Sequence, residues 1–251
     1  MIFSNGVKIC GITLNRENCK GCVLCMRKCP TEAIRVRGGK ARIIAERCVS
    51  CGECVRACPT GAKNAVFTPL SEIEKRKYKI AVPCPSIYGQ FNNLDDINHI
   101  LCGLIDMGFS KVAEVAVGCE IVSEAARAYL ARPDTVKPVI NTSCPAVVKL
   151  IQLRFSQFLD HLLPVETPEE ITAAAALEQA LGAGYKREDI GVYIISPCSA
   201  KVEALAGNPN IDGVLAFSEV YFPLLQRMNA SKRYEDMAEC GRVGLGWGVS
   251  G

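Results

Sequence analysis

The chain lacks most features of exported, membrane-spanning or nucleic-acid-binding proteins. No apolar run approaches the roughly 18 residues needed to cross a membrane. The N-terminal stretch has no charged flank followed by the apolar core of a secretory signal. Aromatic residues make up only 6% of the chain, and no basic segment rich in aromatics points to a nucleic-acid surface. We therefore expect a cytoplasmic protein without a membrane span that binds no nucleic acid.

Cysteine, by contrast, is abundant. The chain has 15 cysteines, an odd number in a sequence without an export signal, so a framework of disulfides is not favoured. In a reducing cytosol, clustered thiols more often bind metal, and the spacing of the cysteines then decides which metal they prefer.

The first part of the sequence contains one internal repeat built on these cysteines. The pattern Cys-x-x-Cys-x-x-Cys-x-x-x-Cys-Pro occupies Cys19–Pro30 and recurs 29 residues later at Cys48–Pro59. In bacterial two-cluster ferredoxins, the fourth cysteine of each run ligates the other 4Fe-4S cluster. The predicted ligand sets are Cys19, Cys22, Cys25 and Cys58 for one cluster and Cys48, Cys51, Cys54 and Cys29 for the second. Zinc is the alternative metal, but tetrahedral zinc sites use cysteine pairs rather than two complete runs of four.

The cysteine-rich region is also the basic part of the chain. Residues 1–77 hold 15 Lys and Arg against 6 Asp and Glu, a net charge of +9, whereas residues 78–251 hold 14 against 20, a net charge of −6. Because a 4Fe-4S cube carries one electron at a time, the region is predicted to transfer electrons. Its charge is interpreted either as a solvated basic surface or as a docking face for an acidic electron-transfer protein.

The pattern of the sequence changes near Tyr78. The polar segment Ser71 to Lys79 is predicted to be a linker or short helix, and apolar strands then alternate with longer helices. Predicted strands cover 79–83, 112–117, 139–140 and 190–195, and predicted helices cover 94–107, 121–131, 168–181 and 217–228. This alternation predicts a parallel α/β sheet covered on both faces.

Two cysteines directly follow predicted strands in this second region. Cys144 precedes Pro145, and Cys198 lies in the stretch Ser196–Lys201. Open α/β sheets bind ligands at the carboxyl ends of their strands, so both cysteines are candidate metal ligands on converging loops. The alternative is that each is a small buried thiol at a packed turn.

The ferredoxin runs followed by these two loops resemble the iron-only (FeFe) hydrogenases, and in overall pattern their sensory branch. The stretch Thr142–Pro145 is similar to the family's first signature loop, and Ser196–Lys201 is similar to the second. The resemblance covers essentially the whole chain. It implies an α+β ferredoxin-like two-cluster domain at residues 1–77, followed by a two-lobed α/β hydrogenase-like domain with parallel sheets at residues 78–251.

The resemblance also implies a third cluster and roles for four residues. In the family, a third 4Fe-4S cluster is joined to a two-iron centre, forming the H-cluster, and hydrogenase maturation proteins are then required. Cys144 and Cys198 would be two of its ligands. Lys201 would hydrogen-bond a cyanide of the two-iron centre, with an ordinary surface lysine as the alternative. Ser143 stands where the family has a proton-relay cysteine, so slower proton delivery is expected because a hydroxyl is a poorer acid than a thiol.

The sequence departs from the family pattern near its C-terminal end. The family's third loop supplies two more cysteines, but only Cys240 follows Cys198, so the catalytic domain is expected to be C-terminally incomplete. The roles of Cys240 and of the other unmatched cysteines stay open; these are Cys10, Cys84, Cys102 and Cys119. One functional hypothesis is electron transfer to a site that reversibly reduces protons and oxidises hydrogen, or that senses hydrogen. The alternative is a non-enzymatic iron–sulfur electron carrier or cluster scaffold with a hydrogenase-derived fold.

Overall fold

The computed structural model describes residues 3–4, 7–8, 10–91 and 97–230. The strands within these ranges are β1 (Phe3–Ser4), β2 (Val7–Lys8), β3 (Ile12–Leu14), β4 (Ile34–Arg37), β5 (Lys40–Ile43), β6 (Lys63–Ala65), β7 (Tyr78–Pro83), β8 (Lys111–Val112), β9 (Ile190–Ser196) and β10 (Gly213–Ala216). The α-helices are α1 (Leu24–Arg27), α2 (Glu53–Arg56), α3 (Asn98–Asp106), α4 (Val115–Leu130), α5 (Pro145–Arg154), α6 (Pro168–Gly182), α7 (Ser199–Leu205) and α8 (Phe217–Ala230). Short 3-10 helices cover Ala45–Arg47, Leu70–Lys75, Pro85–Gln90, Ser156–His161 and Arg187–Asp189. No helix among the described residues is both long and apolar enough to cross a membrane.

The chain divides into two compact units that are not continuous in sequence. The first unit contains the residues up to Phe67 together with Val136–Pro164 and Cys198–Gly207. The second unit contains, within the described residues, Thr68–Thr135, Val165–Pro197 and the segment from Asn208 to Ala230. The boundary predicted at residue 77 instead divides the chain once along its sequence, and it stays a prediction.

In the first unit, the two copies of the internal repeat form equivalent secondary-structure elements. Helices α1 and α2 begin 29 residues apart, at Leu24 and Glu53, and strands β4 and β6 begin at the same separation. β3 pairs antiparallel with β6, and β4 pairs antiparallel with β5. Buried aliphatic residues of this unit form a small core together with Cys19, Cys25, Cys48 and Cys54. The two half-sites are therefore built from equivalent elements.

The second unit is built on a four-stranded parallel sheet in the order β10-β9-β7-β8. All seven residues of β9 are buried. Because successive side chains of a strand point to opposite faces, complete burial of β9 requires cover on both faces of the sheet. Helix α3 packs against α8 and helix α4 against α6. The predicted parallel α/β sheet is thus confirmed.

Most predicted elements of this unit occur close to their expected positions. The strands predicted at 79–83 and 190–195 are β7 and β9, and the helices predicted at 168–181 and 217–228 are α6 and α8. Helix α6 starts with a capping box, in which Thr167 and Glu170 satisfy each other's backbone N–H groups. The helix predicted at 94–107 is observed over Asn98–Asp106, and residues 92–96 lie outside the described part of the chain.

The strand predicted at 112–117 is wrong. Strand β8 ends at Val112, and the apolar residues after it begin helix α4. Val115 is buried together with Cys119 and Val122, which lie four and seven residues further on and so share one helical face. The short apolar run therefore belongs to a 3.6-residue period that extends beyond the predicted strand, and the helix predicted at 121–131 starts earlier. Strand β10 is not predicted by the sequence pattern.

Candidate metal centres

Two cavities in the first unit are each lined by four cysteines. Cys19, Cys22, Cys25 and Cys58 line one cavity, and Cys29, Cys48, Cys51 and Cys54 line the other. The two spaces, each partly open to solvent, measure about 320 and 340 Å³. Within the described ranges, no three His, Cys, Asp or Glu side chains converge on a single metal ion. Each set of thiols lines a cavity instead. Each set joins three cysteines of one run to the fourth cysteine of the other, which is the arrangement of a two-cluster ferredoxin.

Left-handed backbone conformations shape the two loops that carry the cysteines. Positive φ angles recur at positions 29 residues apart, and each pair contains one glycine: Gly21 and Ser50, Val23 and Gly52, and Glu32 and Gly61. A β-branched residue with positive φ is a genuine outlier, so the φ of 59° at Val23 marks local strain. Val23 and Gly52 directly precede α1 and α2, which carry Cys25 and Cys54. The backbone is therefore bent in the same way in both half-sites.

Backbone N–H groups point at the sulfur atoms of several of these cysteines. The N–H of Ala33 donates to Cys29 Sγ, and the N–H of Ala62 donates to Cys58 Sγ, both at 3.2 Å. The N–H of Ala41 donates to Cys19 Sγ at 3.4 Å and lowers the pKa of that thiol. Such donors favour the thiolate form that iron requires and adjust the reduction potential of a cluster. The cavities and their donors thus fit two 4Fe-4S clusters.

A buried polar network surrounds Ser50, next to Cys51. Ser50 Oγ accepts from the N–H of Gly11 at 3.0 Å and donates to Glu203 Oε2 at 2.5 Å. Glu203 also forms an ion pair with Lys149. Ser199 Oγ donates to the backbone oxygen of Ser50 at 2.6 Å. The network therefore ties α7 both to α5 and to a cysteine-bearing loop, and sequence reasoning missed it because its members are far apart along the chain.

The two candidate cysteines of the later loops occupy equivalent positions at helix starts. Cys144 is the N-cap residue of α5, where Pro145 takes the first helical position, and Cys198 is the N-cap residue of α7. Helices α5 and α7 pack against each other. Cys144 is exposed and Cys198 is half-buried. The fold therefore brings together the two helices that the candidate cysteines begin.

The other two candidate residues lie in the same loops. Ser143 is half-buried, and its N–H donates to Asn141 Oδ1 at 2.8 Å. Lys201 is half-buried in the first turn of α7, and its N–H donates to the oxygen of Cys198 at 3.2 Å. Both predicted roles depend on the third cluster, and they stay predictions.

The unmatched cysteines have varied surroundings. Cys10 is buried, and its Sγ donates to the backbone oxygen of Ile12 at 3.1 Å. In the second unit, Cys84 Sγ donates to the buried Glu169 Oε1 at 3.5 Å. Cys102 and Cys119 are also buried in that unit, and Cys240 lies outside the described residues.

Comparison with models of protein families agrees with this architecture. The family model described as "Iron only hydrogenase large subunit, C-terminal domain" matches residues 77–238, and the model described as "4Fe-4S dicluster domain" matches residues 11–59. One similar solved structure is described as an FeFe-hydrogenase whose oxygen inactivation starts with modification and degradation of the H cluster 2Fe subcluster. It shares 16% sequence identity with a TM-score of 0.49, and the match covers 67% of this chain and 47% of that chain. The matched region thus spans about half of that hydrogenase. A search of curated proteins gave no match.

The extent of the first match decides the family. Residues 77–238 make up more than half of the 251 residues, and the dicluster match covers the two cysteine runs that precede them. The chain therefore belongs to the iron-only hydrogenase large-subunit family and carries a 4Fe-4S dicluster domain on the N-terminal side of its hydrogenase domain.

Proposed function

We propose that the chain conducts electrons through two 4Fe-4S clusters to or from a hydrogenase-type site that interconverts protons and hydrogen or senses hydrogen. The crossed lining of the two cysteine cavities carries the electron-transfer part of this proposal. When bound, each cluster supplies reversible one-electron chemistry. The protein's own part is to hold the thiolates, to exclude water from Cys25 and Cys54, which are buried, and to direct N–H groups at sulfur.

A hydrogen bond supports electron transfer onwards to the Cys198 loop. Ser199 Oγ donates to the backbone oxygen of Ser50 at 2.6 Å. Ser50 directly precedes Cys51, and Ser199 directly follows Cys198. One hydrogen bond thus links Ser50, next to a proposed ligand of the second cluster, with Ser199, next to a proposed ligand of the third.

At the hydrogenase-type site, Cys144 and Cys198 would hold a third cluster, as the family resemblance implies. The Lys201 ammonium would stabilise an anionic ligand there through a charge-assisted hydrogen bond. The Ser143 hydroxyl would hold and pass a proton less readily than a thiol would. A serine at position 143 suits slow turnover or sensing better than rapid production of hydrogen.

An acidic electron-transfer protein is the proposed partner. Between residues 10 and 67 eight basic side chains are exposed against three exposed acidic ones; the basic residues are Arg16, Lys20, Arg27, Lys28, Arg37, Arg42, Arg47 and Arg56. Cys22 and Cys51 are exposed in the same region, which supports electron entry at this surface. Because exposed charges are screened by salt, electron transfer from a reduced acidic ferredoxin should slow as ionic strength rises.

The alternative function is that of an iron–sulfur carrier or scaffold without hydrogen chemistry. Exposure of Cys144 favours it, because a cluster ligand in a closed catalytic site is shielded from water.

The deciding experiment is hydrogen evolution from a reduced viologen, measured anaerobically after co-expression of the chain with hydrogenase maturation proteins, with Cys198→Ala as the control. Activity that is present in the parent and absent in the variant supports the hydrogenase. Full loading of two clusters, with about eight irons per chain and no activity, supports the carrier.

A further inference from the structure

Lys63 is a buried cation in the first unit. The residue is only 2% exposed, and its Nζ atom has no hydrogen-bond partner among the residues that the structure describes. A buried ammonium group is costly unless an anion or hydrogen-bond acceptor compensates for it. Its surroundings should therefore include an anionic group when the protein is functional.

The side chain lies beside the cysteine cavities. Lys63 lines the cavity formed with Cys19, Cys22, Cys25 and Cys58. Burial raises the pKa of Cys25, and burial raises the pKa of Cys54 to about 12, with the charge of Lys63 opposing both effects. Cys54 belongs to the other cavity. The ammonium group thus lies within electrostatic reach of thiols from both ligand sets.

The internal repeat shows that this charge is present in one half-site only. A displacement of 29 residues places Lys63, the first residue of β6, at the position that Ile34 occupies as the first residue of β4. Both side chains are 2% exposed. One half-site therefore buries an aliphatic side chain where the other buries a cation, although the backbone around both is equivalent.

We propose that Lys63 raises the reduction potentials of the two clusters and acts more strongly on the cluster held by Cys19, Cys22, Cys25 and Cys58. A 4Fe-4S cube with four thiolates is anionic and gains one more negative charge when it accepts an electron from the redox partner; no covalent bond is made or broken. A nearby cation stabilises the reduced form more than the oxidised form. The electron therefore resides preferentially on the cluster beside Lys63. This inference rests on the proposed binding of two clusters.

The test is a potentiometric titration of the full chain after anaerobic loading with iron and sulfide, with dithionite as reductant and electron paramagnetic resonance as readout. Lys63→Met removes the charge and keeps the unbranched stem, whereas Lys63→Arg keeps the charge. Ile34→Met is the matched control, because it places the same residue at the equivalent position without changing the charge. Iron content and the spectrum of the parent chain separately test whether two clusters bind at all.

We expect Lys63→Met to weaken the electron affinity of the more affected cluster about tenfold, a negative shift of ~59 mV for a one-electron couple. Lys63→Arg and Ile34→Met should stay close to the parent. Equal potentials in Lys63→Met and Ile34→Met would overturn the proposal. If Lys63→Met loses iron but Lys63→Arg keeps the parent's iron content, the charge is needed to hold the clusters, and this outcome supports the proposal. Loss of iron in Lys63→Arg as well would contradict it, since shape rather than charge would then be required.

Discussion

Removing the ammonium group of Lys149 should destabilise the first unit. Lys149 on α5 and Glu203 on α7 form an ion pair whose side chains are only 17% and 9% exposed. Glu203 also accepts a hydrogen bond from Ser50 Oγ. Lys149→Met keeps an unbranched apolar stem but leaves the buried carboxylate with one neutral donor. The two helices headed by Cys144 and Cys198 would then lose the charge pair that joins them.

The magnitude follows from burial of the pair. Removing one partner of a buried ion pair costs about 3–5 kcal/mol, because the other charge is left uncompensated. The bond from Ser50 remains, so we expect the lower end, about 3 kcal/mol. Each kcal/mol shifts the unfolding midpoint by roughly 2–4 °C in a chain of this size. Lys149→Met with Glu203→Gln should recover most of the loss, because the amide oxygen can still accept from Ser50 and no charge is orphaned.

The assay is anaerobic thermal unfolding of the cluster-loaded protein. Loss of the clusters' visible absorption reports on the first unit, and far-ultraviolet circular dichroism reports on the whole chain. The control is Arg127→Met, which breaks an ion pair with Glu124 whose side chains are 68% and 73% exposed; it should cost no more than about 0.5 kcal/mol. The reasoning is refuted if Lys149→Met and Arg127→Met unfold at the same temperature. It is also refuted if the double variant is no more stable than Lys149→Met.

Three further predictions concern stability. Val23→Gly should stabilise the first unit by about 1 kcal/mol, because glycine adopts the positive φ without strain; a lower temperature of cluster loss would contradict this. Gly118→Ala should destabilise the second unit by about 1–3 kcal/mol, since the added methyl would lie 2.6 Å from the Pro168 backbone oxygen. In Gly182→Ala the methyl meets nothing within 4 Å, so this control variant should keep the parent's free energy of unfolding in a urea titration. Equal destabilisation by Gly118→Ala and Gly182→Ala would refute the packing argument. Burial raises the pKa of Glu114 above its ordinary 4.5, so its stabilising contribution is complete below pH 4.5 and is lost as pH rises through the folded-state pKa. In Glu114→Gln, the urea unfolding midpoint should therefore decrease less steeply with pH above pH 4.5 than in the parent chain. A decrease as steep as the parent's would contradict this prediction.

The grouping of the cysteines around the two cavities could be predicted from sequence, because the motif that carries it is local. Three cysteines within seven positions, repeated after 29 residues, fix a pair of half-sites before any fold is known. The buried strands β7 and β9 could also be predicted, since each is a short apolar run between polar segments. The segment after β8 could not be assigned in the same way, because a short apolar run fits a strand or a buried helical face equally well.

Other parts of the candidate site depend on tertiary structure. Lysine is normally exposed, so nothing in the sequence marks Lys63 as buried except its equivalence to Ile34, which is visible once the repeat is extended past Pro59. Glu203 lies 153 residues from Ser50, and their hydrogen bond exists only because α7 belongs to the first unit. Spacing along the chain carries no information about such contacts.

Crossed ligation of two clusters is the central claim, and paired cysteine variants test it most directly. Iron is counted per chain after anaerobic loading of two double variants. Cys58→Ala with Cys22→Ala disrupts one proposed ligand set, so about four irons should remain, whereas Cys58→Ala with Cys51→Ala disrupts both sets and should leave none. The opposite ranking, with iron retained when Cys58 and Cys51 are both replaced and lost when Cys58 and Cys22 are replaced, would show that each run holds its own cluster and would contradict the account.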